Sequence, residues 1–215
     1  GHTRVRGNAG QDLSIQTLRP EDVTVAEMLK GAGYHTGLVG KWGLGDAGVG
    51  GLPNDKGFDY FFGYLNQVHA HNHYPEFLWL NQDSVKLGNV VHRAPQSYAG
   101  FTGGYGTTRD DYSQDLFVCE TVGFVEENRE QPFFLYLALV VPHANNEARL
   151  GPHHGLEVPD YGPYADRDWP EPEKGFAAMV TRMDEGVGRI LDRLEQLGLD
   201  ENTIVFFTSD NGPHT

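Results

Sequence analysis

The sequence predicts an α/β fold: a largely parallel or mixed central sheet flanked by helices. Three observations carry it. Residues 133–141 and 203–208 are continuous apolar runs, as expected of strands covered on both faces. Amphipathic stretches with helical spacing alternate with such runs. Each of three predicted strands runs out into polar residues at its C-terminal end, where open α/β sheets bind ligands.

The elements follow in order. Thr24 is placed to cap a helix over VAEMLKGAG, which the glycines at 31 and 33 end. Residues 35–39 read as a short strand leading into Gly40, Lys41, Trp42 and Gly43. Residues 46–110 have weak periodicity and many Gly, aromatic, Asn and His residues, so they are expected to form an irregular excursion with a small hairpin around 77–91. Residues 112–129 have helical spacing, with Leu116, Cys119, Val122 and Val125 or Phe124 on one face. Cys119 is then a small core hydrophobe. The strand at 133–141 follows, and a second irregular excursion covers 144–172. Residues 174–197 form an amphipathic helix through Phe176, Met179, Val180, Met183, Val187, Ile190, Leu191 and Leu194. The last strand, 203–208, breaks into Ser209, Asp210, Asn211, Gly212, Pro213 and His214. All 215 residues are expected to form part of one domain.

Charge narrows the function classes. Thirty acidic against 16 basic residues give a net charge of -14, the wrong sign for a general nucleic-acid or acidic-membrane binder. One cysteine forms no internal disulfide. No apolar run is long enough to cross a membrane as a helix. Nothing in the sequence fixes an oligomeric state.

The polar residues at the strand ends have two readings each. Asp210 and Asn211 offer a carboxylate and an amide carbonyl, hard oxygen ligands suited to calcium or magnesium, or they form an ordinary Asp-Asn-Gly-Pro turn. Lys41 is a point charge for an anion or a surface lysine. His143 is a general acid or anion donor, or a capped histidine at a strand end. His69, His71 and His73 are spaced by two, which puts them on one face if the segment is extended. They could line a substrate pocket, bind zinc or sit in a polar aromatic loop; no cysteine or His-Glu helix motif supports zinc.

Five segments, taken together and in this order, resemble the type I sulfatases of the alkaline phosphatase superfamily. GYHTGLVGKWGLG (33–45) resembles the family's Gly-Lys-Trp-His-x-Gly signature. Gly57-Phe58-Asp59 with Tyr60-Phe61-Phe62-Gly63 looks like its next landmark. FFLYLALVVPH (133–143) and TIVFFTSDNGPH (203–214) resemble its Pro-His and Asp-Asn strands, and GHTRVRGN (1–8) looks like the stretch after its nucleophile motif.

That resemblance implies a calcium-dependent sulfuric ester hydrolase acting through a formylglycine nucleophile. It implies that Lys41 binds the sulfate, that His143 contacts the ester and its leaving oxygen, and that Asp210 and Asn211 are ligands of one calcium ion. His69, His71 and His214 are candidate substrate contacts. The implied substrate is a sulfated small molecule or sulfated glycan. The implied compartment is periplasmic, extracellular or lysosome-like. The alternatives are a phosphatase or phosphodiesterase of the same superfamily, and a non-catalytic relative that binds sulfated glycans.

The chain also departs from the family pattern. It has no Cys/Ser-x-Pro/Ala-x-Arg motif, no upstream acidic pair and no second lysine beyond the Asp-Asn-Gly strand. The expectation is a catalytic-domain portion that lacks its nucleophile and half of its calcium shell, inert by itself. Gly43 stands where the signature has histidine. His69 or His71 is the expected substitute imidazole.

Overall fold

The computed structural model describes residues 17–98, 101–150 and 153–211. Helix α1 (Val25–Gly31) starts at a full capping box: Thr24 Oγ1 accepts from Glu27 N, and the Glu27 carboxylate accepts from Thr24 N. It leads into strand β1 (His35–Lys41), which lies between two parallel neighbours. On one side is β2 (Tyr60–Tyr64), in register from Gly37 with Tyr60 to Lys41 with Tyr64. On the other is β7 (Phe133–Ala138), in register from His35 with Phe133 to Gly40 with Ala138. Strands β3 (Phe77–Leu80) and β4 (Asp83–Lys86) add antiparallel beyond β2. The result is a mixed sheet of order β4-β3-β2-β1-β7. Strands β5 (Val90–Tyr98) and β6 (Phe101–Thr108) form a separate antiparallel ribbon.

Both sheet faces are covered because successive side chains of a strand point to opposite sides. Leu38 and Phe61 pack with Ala26 of α1, Trp42 and Phe58 on one face. Val39, Phe62 and Tyr64 pack with Phe117 of helix α2 (Ser113–Glu127) on the other. Helix α3 (Glu171–Gln196) packs on α2, clamped by Arg182 to Asp115 at 2.7 and 2.5 Å. The two early landmarks are tied together. Thr36 Oγ1 donates to Gly57 O at 2.6 Å, and Thr36 N donates to Asp59 Oδ2 at 3.0 Å. Lys30 Nζ lies 2.5 Å from Asp59 Oδ1.

Several expectations need correction. Residues 46–110 are more than an excursion, because they contain β2, the inner strand beside β1. Its YFFGY sequence favours a strand by its aromatics, but it is short and has no apolar-polar alternation to set it apart from the surrounding Gly- and aromatic-rich stretch. The hairpin at 77–91 exists as β3-β4, but the β5-β6 ribbon had no sequence signal strong enough to be foreseen. Helix α2 is rotated from the expected face. Phe124 and Val125 are buried as expected and Leu116 packs partly on the core, but Phe117, Val118 and Thr121 are buried in place of Val122, and Cys119 is exposed. The aromatic residues win the core because they bury more area per side chain. Helix α3 starts at Glu171 rather than 174, since Pro172 is tolerated in a first turn. Its Phe176, Val180 and Leu191 are exposed. The run at 133–141 stops pairing at Ala138; its strand residues are half-buried except Tyr136, which is exposed, and only Val140 and Val141 beyond the strand are buried.

The largest departure is at 203–208, which forms no strand. Ile204 and Phe206 are 81% and 88% exposed. An apolar run states a need for burial but does not supply the partner. Among the described residues no element pairs with it or covers it.

Candidate active site

Strands β2, β1 and β7 are parallel, so their carboxyl ends lie side by side, and two glycines let them close up there. A Cβ on Gly40 would fall 2.1 Å from Ala138 O, and one on Gly63 would fall 1.9 Å from Gly40 O. Both sit at positive φ, at 113° and 154°, where L side chains are strained. Lys41 follows at once. The chain beyond it stays anchored, with Trp42 N donating to Tyr64 O and the Trp42 indole N–H donating to Gly51 O, both at 2.9 Å.

Lys41 is partly buried. Burial lowers its proton affinity, and the nearby charge of Asp210 pushes it part of the way back, leaving it below the usual lysine value. The charge of Asp210 is thus felt at Lys41, although the segment carrying Asp210 is not a strand. Asp210 and Asn211 are exposed, in a bend where Ser209 Oγ donates to Asn211 O at 2.5 Å.

His143 follows the end of β7, after the cis Val141–Pro142 bond. Its Nδ1 lies 2.7 Å from Ala144 O, a carbonyl that can only accept, so Nδ1 carries the proton. The His71 ring stacks on it in parallel, with centroids 5.0 Å apart at 10°. His71 Nδ1 is held by Glu147 at 2.9 and 3.2 Å from its two carboxylate oxygens.

The three histidines do not share one face, because 69–71 form a 3-10 turn rather than an extended segment. His69 is 3% exposed, against the rings of Phe77 at 4.5 Å and Tyr64 at 4.9 Å. Burial, with Arg93 adding to it, lowers its pKa to about 3. It is a neutral core ring at neutral pH. His73 is fully buried and donates from Nε2 to His143 O at 2.9 Å. Burial pulls its pKa down to about 4, opposed by that hydrogen bond and aided by the charges of His143 and His71. His73 therefore supports the loop that carries His143. His214 lies outside the described residues.

Gly43 has φ 74°, and the place of its absent β-carbon is filled by the Gln67 amide, whose Nε2 would be 2.2 Å from that carbon. Glu147 and Gln67 were not singled out from the sequence. Gln67 adjoins the histidine run, which could have drawn attention to it. Glu147 lies in an irregular loop with no motif around it.

Asp210 and Asn211 suit a hard cation in kind but not in number. Calcium takes six to eight oxygens, and among the described residues no group of three His, Cys, Asp or Glu side chains is arranged to hold a metal.

The family model for sulfatases matches residues 2–215. The chain belongs to the sulfatase family. It is 30% identical to the arylsulfatase of Hemicentrotus pulcherrimus over 92% of its own length and 33% of that relative. It is 29% identical to the arylsulfatase of Klebsiella aerogenes over 96% of its own length and 50% of that relative. The fold resembles a solved structure of i-CgsB in complex with k-i-k-neocarrahexaose. The TM-score there is 0.65 at 23% identity, over 93% of this chain and 41% of the other. The chain thus spans about a third to a half of the sulfatases it matches. The fold class expected from strand and helix alternation agrees with that likeness, and the family is consistent with a metal-dependent enzyme. Among the described residues, no helix is long and apolar enough to cross a membrane.

Proposed function

We propose that the protein containing this chain hydrolyses sulfate esters. The observation that carries the reading is the sulfatase match over residues 2–215, with Lys41 held partly buried at the end of the central strand. An ammonium in a partly desolvated cleft about 4 Å from a sulfate oxygen interacts at roughly 4 kcal/mol at an effective dielectric of 20. That is a useful contribution where charge develops on the leaving and peripheral oxygens. His143, with its Nδ1 proton committed to Ala144 O, has Nε2 for the ester, and as the imidazolium it gives the Nε2 proton to the leaving oxygen. His71 is the second imidazole available to the ester. His69 enters only through packing, since it is buried among aromatic rings. His214 is retained as a substrate contact on the family resemblance alone.

Asp210 and Asn211 are proposed as two ligands of a calcium ion whose remaining ligands come from elsewhere. Such an ion supplies Lewis-acid stabilisation of sulfate oxygens when bound. The nucleophile is proposed to be a formylglycine outside these residues. The substrate is a sulfated small molecule or sulfated glycan; a sugar is supported by the neocarrahexaose bound in the i-CgsB structure. The family resemblance favours a periplasmic, extracellular or lysosome-like compartment.

The test is an assay of the full-length protein with para-nitrophenyl sulfate and para-nitrophenyl phosphate. Sulfate-ester turnover is the expected result. Hydrolysis of the phosphate alone would place the protein among the phosphatases, and binding of a sulfated sugar without turnover would make it a non-catalytic receptor.

A further inference from the structure

We propose that Glu147 is a positioning residue of this site, acting through His71. The inference rests on the reading that His71 faces the substrate. Glu147 is 8% exposed, and its carboxylate pairs with His71. Both of its oxygens are turned to His71 Nδ1, at 2.9 and 3.2 Å. A carboxylate only accepts, so His71 must carry its proton on Nδ1. Nε2 is then the nitrogen that gives or takes a proton at a ligand, and among the described residues it has no hydrogen-bond partner. The same contact keeps the His71 ring parallel to His143 at 5.0 Å.

Glu147 is itself fixed from two directions. Its backbone N–H donates to Asn145 Oδ1 at 3.2 Å, and Asn145 Nδ2 donates to Gly104 O of β6 at 2.9 Å. The next residue of β6, Gly103, leaves the space the side chain fills. A Cβ there would lie 2.5 Å from Glu147 Cγ and 2.8 Å from its Cδ. The β5-β6 ribbon thus shapes the seat of a carboxylate that orients a site imidazole. A carboxylate behind a histidine sets its tautomer and ring angle.

The experiment is a double-mutant cycle in the full-length protein with H71A, E147A, E147Q and H71A/E147A. Each is read by kcat/KM on para-nitrophenyl sulfate, by melting temperature and by nitrogen NMR of the His71 ring. E147A is expected to lower kcat/KM about 10- to 100-fold, the usual effect of removing such an outer partner. E147Q keeps an acceptor oxygen and is expected to stay within about tenfold of the wild type. The double variant is expected to fall no further than H71A, because Glu147 acts through that ring. The Nδ1–H signal of His71 is expected in wild type and E147Q and absent in E147A. Two losses that multiply, or a lower melting temperature with unchanged kcat/KM, would overturn the proposal. A wild type that does not hydrolyse the sulfate ester refutes the proposed function instead. The NMR signal then decides Glu147 alone, and its survival in E147A overturns the positioning role.

Discussion

Acid should weaken this fold through two histidines that the core holds neutral. His69 and His73 have folded pKa values of about 3 and about 4, against an ordinary 6.5. The sign follows from where protons bind. Above pH 6.5 both rings are neutral folded and unfolded, and their contribution is complete. Below 6.5 the unfolded chain takes up protons that the folded chain refuses, so stability falls. Between pH 7.5 and pH 5 each ring costs about 2 kcal/mol, from the titration of an unfolded group at 6.5 with no matching uptake in the fold. Together that is about 4 kcal/mol, a large share of an ordinary domain's 5–15 kcal/mol. The perturbation that isolates one ring is His69→Phe, which keeps an aromatic between Tyr64 and Phe77. Urea denaturation of the full-length protein at pH 7.5 and pH 5 measures both states. The variant should lose about 2 kcal/mol less than wild type over that interval, whatever its stability at pH 7.5. Equal losses in the two proteins would refute the claim that His69 is held neutral.

Three further predictions follow from the same geometry. Gly40→Ala puts a β-carbon 2.1 Å from Ala138 O at a positive φ, and should cost at least about 3 kcal/mol in urea melts; a loss under about 1 kcal/mol would contradict the close approach. Asp59 has its carboxyl held below the ordinary carboxylate range: burial opposes this, but hydrogen bonds from Lys30 and Thr36 outweigh it. Its contribution is present above the unfolded value near 3.8 and lost as pH falls below it, so D59N should flatten that part of an acid-unfolding curve and leave the neutral-to-pH-5 region alone. Lys41→Ala should lower kcat/KM on a sulfate ester by about 10²- to 10³-fold, and Lys41→Arg should not restore it, because a planar fork does not replace a compact ammonium. A wild-type rate in Lys41→Arg would show that charge alone matters there.

The start of α1 was legible because its signal is local. Thr24 and Glu27 sit three residues apart and form the capping box by themselves, and the run into Lys41 reads as a strand from its own residues. Faces were harder to read. In α2 both sides offer apolar residues, and Phe117 and Val118 rather than Cys119 and Val122 are buried, since only packing chooses between them. At the site, Lys41, His143 and Asp210 were visible as polar residues at the ends of apolar runs. Glu147 was not, because its partner is 76 positions away in sequence and no periodicity links them.

By itself the sequence determined an alternating α/β fold, a net charge of -14, and a set of motifs that place the chain among the sulfatases. Those follow from spacing and residue type, which short stretches of chain carry. Only the tertiary structure decided which histidines are buried in the core and which stack beside His143. His69 and His71 stand two residues apart, yet a single 3-10 turn sends one between Tyr64 and Phe77 and the other onto His143. It also decided that the apolar run at 204–207 lies exposed rather than in the sheet. Burial is a property of what surrounds a residue, and the surroundings come from distant parts of the chain.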